Sequence, residues 1–184
     1  MENAGGLTDE GLIEAVLREA TIVGDTLEYR GATLTSEWMR QEAERVLLEQ
    51  DMLNSEGMII SCGPHAAIPH HHGKGALRPH TTIICDIFPR HRASGYFADM
   101  TRTYVKGTPS DAVRKMYAAV QSAQEEAMQR IKPGMKTHEA HQLCVDLFAA
   151  EGFESGVGER GFCHGTGHGL GLDVHEDPFL RATH

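Results

Sequence analysis

Three histidines late in the sequence, His164, His168 and His175, have the types and spacing of residues that bind a metal ion or a substrate. They lie among five glycines between positions 161 and 171. Glycine has no Cβ and lets the backbone approach a ligand closely, so imidazoles in such a segment are presented to a ligand. Imidazole is also the commonest neutral metal ligand. The segment therefore predicts a metal site.

Carboxylates that would complete such a site lie upstream, at Asp86 and Asp99. Both lie in runs that contain β-branched and aromatic residues, which favour strands. Because a buried carboxylate without a cation is costly, Asp86 in its apolar run indicates a metal ligand. Three structural alternatives stay open: Asp86 satisfied by hydrogen bonds alone, Asp99 paired with Arg102, and His168 packed in a turn.

Two segments together resemble one known family. Residues 95–103 read Gly-Tyr-Phe-Ala-Asp-Met-Thr-Arg-Thr, and residues 164–178 read His-Gly-Thr-Gly-His-Gly-Leu-Gly-Leu-Asp-Val-His-Glu-Asp-Pro. The pair resembles the M24 metallopeptidases, which include methionine aminopeptidases, Xaa-Pro aminopeptidases and Xaa-Pro dipeptidases. The resemblance runs from about Leu7 to the end. It implies an α+β pita-bread (creatinase/aminopeptidase) fold, with two αα-β pseudo-repeats whose helices pack on a curved, mainly antiparallel sheet.

The resemblance also implies a dinuclear metal centre. Asp86 matches the bidentate ligand of one metal, Asp99 the carboxylate that bridges both metals, and His168 the imidazole ligand of the other. Two divalent cations lower the pKa of a shared water and stabilise the oxyanion that forms when this water attacks an amide carbonyl. Oxygen ligands with one imidazole suit Mn, Co, Fe or Zn, and the sequence does not choose among them.

Three further histidines match family residues that face the substrate. His175 matches the catalytic histidine that polarises the scissile carbonyl. His164 matches a second catalytic histidine, which is typical of members cleaving Xaa-Pro bonds and unusual in methionine aminopeptidases. His70, in an Ile-Pro-His sequence, matches a substrate-binding histidine, with His71 and His72 as alternatives. The predicted substrate is therefore a peptide with proline in second position.

The sequence stops at His184, before the two glutamate ligands of the resembled family, and Glu176 matches a residue that does not bind the metals. We therefore expect a truncated catalytic domain without its C-terminal strands, which is weakly active or inactive. Uncovered apolar sheet surface would favour a homo-oligomer. The alternative from another class is a non-catalytic pita-bread module that binds peptides or proteins.

Length and composition narrow the remaining possibilities. A chain of 184 residues fits one domain, so we assign residues 1–184 to a single, partial catalytic domain. The net charge of −9 and the scattered basic residues argue against a nucleic-acid partner. The N-terminus does not resemble a signal peptide, and no apolar run reaches membrane-spanning length. Four cysteines without a C-x-x-C pair fit a reducing compartment. We expect a cytoplasmic protein without a membrane partner.

The elements that must position these residues follow from hydrophobic periodicity. Apolar spacing predicts a helix over residues 8–25, and Thr35 or Ser36 caps a second helix. Residues 58–63 form a short buried strand. Residues 64–75, rich in histidine, glycine and proline, form a loop suited to substrate contacts.

The second half of the pattern repeats the order of helices before strands. Strands over residues 81–88 and 95–105, joined as a hairpin, would bring the two aspartates together. Ser110 caps a long helix that ends at Pro133, and Thr137 caps another that ends at Gly152. The predicted inward stripe of the long helix is Val113, Met116, Tyr117, Val120, Ala123, Ala127 and Ile131.

Overall fold

Two units make up the chain in the computed structural model, Met1–Ser110 and Asp111–His184, and the structure describes residues 9–155 and 161–182. None of the helices in these described ranges combines the length and the apolar composition that crossing a membrane requires. The assignment of residues 1–184 to one domain stays a prediction.

The first unit contains helices α1 and α2 and strands β1 to β8 among its described residues. These elements are α1 Asp9–Glu19, β1 Thr21–Val23, β2 Thr26–Tyr29, β3 Ala32–Thr33, α2 Ser36–Glu49, β4 Met52–Leu53, β5 Met58–Cys62, β6 Ile83–Ile87, β7 Arg90–His91 and β8 Met100–Tyr104. A short 3₁₀ helix, Gly63–Ala67, leads into the loop of residues 64–75, which contains the tandem histidines and is called the histidine loop.

The helix predicted over residues 8–25 was too long. It ends at Glu19, and residues 21–23 pair with β2 as an antiparallel strand. These residues are Thr, Ile and Val, whose β-branched side chains are stiff at χ1 and pack well in strands. Gly24, at φ +60°, then makes the turn into β2. As a result, Val23 is 46% exposed, whereas Ile13 at 1% lies in the core as predicted.

Helix α2 forms as the sequence predicts. The Thr35 hydroxyl accepts a hydrogen bond from the Trp38 backbone N–H at 3.1 Å and so caps the helix. The apolar side chains spaced along one face of this helix, Met39, Ala43, Val46 and Leu47, are all buried. With α1 and strands β5 and β6, this helix face forms the core of the first unit.

The main sheet of the first unit has the strand order β5-β6-β8, and all its pairs are antiparallel. Its core face carries alternate residues of β6, namely Ile83, Cys85 and Ile87. Burial raises the pKa of the Cys85 thiol to about 12, so this cysteine is an inert core residue. The predicted pairing of the two strands is confirmed, but their connection is not a simple hairpin. It contributes strand β7, which pairs with β4, and β8 begins at Met100 rather than at residue 95.

The second unit contains two helices followed by a two-stranded antiparallel sheet in its described residues. These elements are α3 Asp111–Arg130, α4 Thr137–Ala150, β9 Gly167–Gly169 and β10 Glu176–Leu180. The predicted order of two helices before strands is therefore observed in both units, although short strands also separate α1 from α2.

The predicted inward stripe of α3 is only partly correct. The helix buries its small residues, Ala119, Ala123 and Ala127, and it packs against α4. Four larger apolar side chains are 51–69% exposed, and they are Met116, Tyr117, Val120 and Met128. The periodicity of apolar residues along a helix shows which side chains share a face, but not which part of that face another element covers.

Candidate metal and substrate site

Asp86 lies in the middle of β6, on the face of the sheet opposite the buried Ile87. Its cross-strand partner is Thr101, whose hydroxyl donates a hydrogen bond of 2.7 Å to one Asp86 carboxylate oxygen. This bond orients the carboxylate and leaves its second oxygen as a further acceptor. From the sequence, Thr101 was expected to be a strand residue, with the ordering of Asp99 as the alternative, because strand register cannot be read from sequence spacing alone.

Asp99 is half-buried and comes directly before β8, so it does not lie within the predicted strand. Register nevertheless relates it to Asp86. Asp86 pairs with Thr101, and the paired region ends at Met100 opposite Ile87, so Asp99 directly precedes the strand that pairs with β6. The pairing of β6 with β8 therefore relates the two aspartates through adjacent strands.

The predicted substrate residue His70 is exposed and has a left-handed backbone conformation at φ +60°. Its neighbour His71 is held differently: its ring stacks on His65 with centroids 4.2 Å apart, and its Nδ1 accepts a hydrogen bond from the Gly73 N–H at 2.9 Å. The His72 Nδ1–H donates to the Met58 carbonyl at 2.9 Å. The rings of His71 and His72 are thus held by contacts within the loop and with β5, and His70 is exposed.

Helix α2 anchors this histidine loop at two points. The Arg40 guanidinium donates to the backbone carbonyls of His72 and Gly73, and the Glu37 carboxylate accepts from the Gly75 N–H at 3.0 Å. The pKa of Glu37 is lowered, chiefly because its own backbone N–H donates to the carboxylate and further because the Gly75 N–H does so. The loop that carries His70 is therefore tied to a rigid helix.

His168 and His175 lie together in the second unit, as predicted from their shared segment. His168 is in β9, His175 directly precedes β10, and their ring centroids are 4.3 Å apart in an edge-on arrangement. The His168 Nδ1–H donates to the Gly169 carbonyl at 2.9 Å. In a neutral ring this bond places the lone pair on Nε2, the atom through which such a histidine binds a metal.

The close packing of this segment requires a glycine at position 169, where a Cβ would lie under 3.0 Å from the backbone of Asp177. A Cβ on Gly171 would meet the end of the Glu176 side chain, which can move away. Gly169 thus allows β9 and β10 to approach closely beside the two histidines.

His164 lies before β9 and is exposed. Its Nδ1–H donates to the Gly165 carbonyl at 2.7 Å, and its ring meets Phe162 edge-on with centroids 5.0 Å apart. As in His168, the bond places the lone pair of the neutral ring on Nε2. The exposed imidazole is suited to contact a substrate.

His141 is a residue that the sequence analysis did not single out. It lies on α4 and its Nδ1 is joined to the Thr166 hydroxyl by a hydrogen bond of 3.0 Å. Burial lowers the pKa of His141, and the nearby charge of His164 lowers it further. Neither the spacing of 25 residues nor the helix pattern could reveal this contact.

The types of the predicted metal ligands fit a divalent cation: two half-buried carboxylates and an imidazole with its lone pair on Nε2. Asp86 and Asp99 belong to the first unit, and His168 belongs to the second. Within residues 9–155 and 161–182, no group of three or more His, Cys, Asp and Glu side chains is gathered closely enough to hold a metal ion.

Solved structures share the fold of this chain. Dipeptidase PepE from Mycobacterium ulcerans aligns with a TM-score of 0.75 at 28% identity, over 97% of this chain and 44% of that chain. A methionine aminopeptidase from Rickettsia prowazekii aligns with a TM-score of 0.70 at 15% identity, over 98% of this chain and 68% of that chain. At that low identity the second match shows the fold alone. The chain therefore has the predicted α+β pita-bread fold.

The chain belongs to metallopeptidase family M24, which it matches over residues 1–184. The probable dipeptidase PepE of Mycobacterium tuberculosis is 38% identical over 126 residues, which are 68% of this chain and 32% of that protein. The Xaa-Pro dipeptidase of Lactobacillus helveticus is 35% identical over 123 residues, 66% of this chain and 32% of that protein. The predicted family is thus confirmed, and the matched region amounts to about a third of these relatives.

Proposed function

We propose that the protein hydrolyses the bond after the N-terminal residue of peptides with proline in second position. The observation that carries the proposal is the ordering of the family's motif residues in ligand form. Asp86 is oriented by Thr101, and His168 has its lone pair on Nε2. The similarity to Xaa-Pro dipeptidases supports the substrate class.

Two divalent cations, held by Asp86, Asp99 and His168, are part of this proposal. When bound, they would supply a nucleophilic water at neutral pH and stabilise the oxyanion. Hard carboxylates with one imidazole fit Mn, Co, Fe or Zn.

The remaining residues would bind and orient the peptide. His175 lies beside His168 and would donate a hydrogen bond to the scissile carbonyl. His164 and His70 are exposed imidazoles that would contact the substrate. Because α2 anchors the loop that carries His70, the position of this ring is fixed for contact with the substrate.

The proposal is tested by incubating the chain with Xaa-Pro dipeptides and tripeptides in the presence of Mn²⁺ or Co²⁺. We expect slow, metal-dependent release of the N-terminal residue, and its loss in Asp99→Ala. A matched peptide with alanine in place of proline should be cleaved more slowly. Release that is equal in the Asp99→Ala variant would refute the proposed role of the aspartate.

A second candidate is a non-catalytic module that binds peptides or proteins. In that case no release is observed, and metal uptake by the chain is no greater than uptake by Asp99→Ala. Peptide binding would then be measurable without metal.

A further inference from the structure

His141 holds the glycine-rich histidine segment from the side of α4. This half-buried residue of α4 contacts Thr166 through a hydrogen bond of 3.0 Å between the His141 Nδ1 and the Thr166 hydroxyl. Thr166 lies two residues after His164 and two residues before His168. Any displacement of Thr166 therefore moves the backbone that carries both rings.

Aromatic packing adds a second contact between the same helix and the same segment. Phe162 lies 5.4 Å from the ring of His141 and 5.0 Å from the ring of Phe148, measured between centroids. His141 and Phe148 are seven residues apart, so they lie on one face of α4. Phe162 in turn meets the ring of His164 edge-on. The helix thus supports both the start and the middle of the segment.

On its other side, the backbone of the segment contacts β10. The Thr166 N–H donates to the Leu180 carbonyl at 2.7 Å. A Cβ on Gly165 would lie 3.1 Å from the same carbonyl oxygen. Because the segment is rich in glycine, which has the greatest backbone freedom, these few contacts must restrict its conformation.

We propose that His141 is a positioning residue, which acts through Thr166 to fix where His164 and His168 present their rings. The contact itself is independent of any reaction, and its purpose in catalysis rests on the proposed function. His141 does not need to touch the substrate. In a neutral His141 ring, Nδ1 can either donate a hydrogen bond to the Thr166 hydroxyl or accept one from it, so the contact forms with either tautomer.

The test uses the whole chain with ¹⁵N-labelled histidine and follows the ring signals of His164 and His168 by NMR. His141→Leu removes the hydrogen bond while retaining an apolar side chain, and His141→Asn retains a polar atom near the position of Nδ1. The control is His138→Asn, a histidine on the same helix one turn earlier.

We expect His141→Leu to shift the ring signals of both His164 and His168. It should also increase amide hydrogen exchange in residues 166–169 about fivefold, the factor that corresponds to one hydrogen bond of about 1 kcal/mol. His141→Asn should restore both readouts toward those of the wild type, and His138→Asn should change neither.

Unchanged ring signals in His141→Leu, no recovery in His141→Asn, or equal shifts in His138→Asn would overturn the proposal. If His141→Leu does not fold, Thr166→Val removes the same bond from its other side and must produce the same shifts. The test is separable from the proposed function because no substrate is involved. If His141→Leu shifts the ring signals but the wild-type chain has no peptidase activity, the positioning role of His141 stands and the proposed peptidase function is refuted.

Discussion

Gly73 is the position where the histidine loop is predicted to be least tolerant of change. It has a φ of +80°, and a Cβ there would collide with the Ile60 carbonyl and lie 2.9 Å from the Ser36 hydroxyl oxygen. Gly75, in the same loop, has nearly the same φ of +78° but no atom within 4 Å of such a Cβ. Both alanine substitutions therefore place alanine in a left-handed backbone conformation, but only Gly73→Ala also causes a collision.

The magnitudes follow from these two terms. A left-handed conformation costs a residue other than glycine about 1–2 kcal/mol, which the lower entropy of the unfolded alanine chain partly offsets. Gly75→Ala should therefore lose about 1 kcal/mol. In Gly73→Ala the loop must also move away from β5, which breaks the bonds of Arg40 to the loop carbonyls and of Ser61 to the His71 carbonyl. At about 1 kcal/mol each, the total loss becomes about 3–4 kcal/mol.

Urea unfolding measures this difference directly. The single tryptophan, Trp38, is half-buried on α2 with its ring centroid 5.5 Å from that of Tyr29, so its fluorescence reports the unfolding of the first unit. The midpoint should fall much further in Gly73→Ala than in Gly75→Ala, with an unchanged slope. Equal losses in the two variants would show that the collision with β5 is not a real constraint on the loop.

Three further predictions concern other parts of the chain. Glu37→Gln should cost at most about 1 kcal/mol at pH 7 in urea unfolding, because solvent screens part of this carboxylate's interaction with the loop. The folded-state pKa of Glu37 is lowered, so its contribution to the free energy of unfolding is complete above the ordinary value of 4.5. This contribution disappears as the pH falls through the folded-state pKa. An equal loss of stability in Glu37→Gln at pH 2 would contradict this. Thr101→Val should destabilise the chain by about 1 kcal/mol more than Thr103→Val, because only Thr101 donates to Asp86, and equal losses would exclude the bond. Tyr117→Ser should reduce self-association in sedimentation velocity, because this residue is 58% exposed on an apolar helix face; unchanged sedimentation would mean that this face does not mediate association.

Local signals predicted some elements accurately and others poorly, and the difference has a physical cause. Helix α2 has a capping threonine and a clean apolar stripe, and both signals indicate the same helix. In α1 the stripe continued to Val23, but the β-branched run over residues 21–23 favoured pairing with β2. In α3 the periodicity correctly indicated a helix, yet it could not show that only the alanine edge would be covered.

The candidate site shows the same division between local and non-local information. The residue types of Asp86, Asp99 and His168 carry the family signal, and the family is confirmed over the chain. The bond from Thr101 to Asp86 depends on strand register, and the bond between His141 and Thr166 depends on how α4 packs. Neither packing nor register is encoded by spacing alone, so these two supporting residues became visible only in three dimensions.

The most direct test of the central claim is a calorimetric titration of the chain with Mn²⁺, compared with Asp99→Ala and His168→Ala. If the retained motif residues are metal ligands, the wild type should bind Mn²⁺ at least tenfold more tightly than either variant, a difference of about 1.4 kcal/mol. Equal affinities in all three proteins would show that these residues do not form a metal site in this chain.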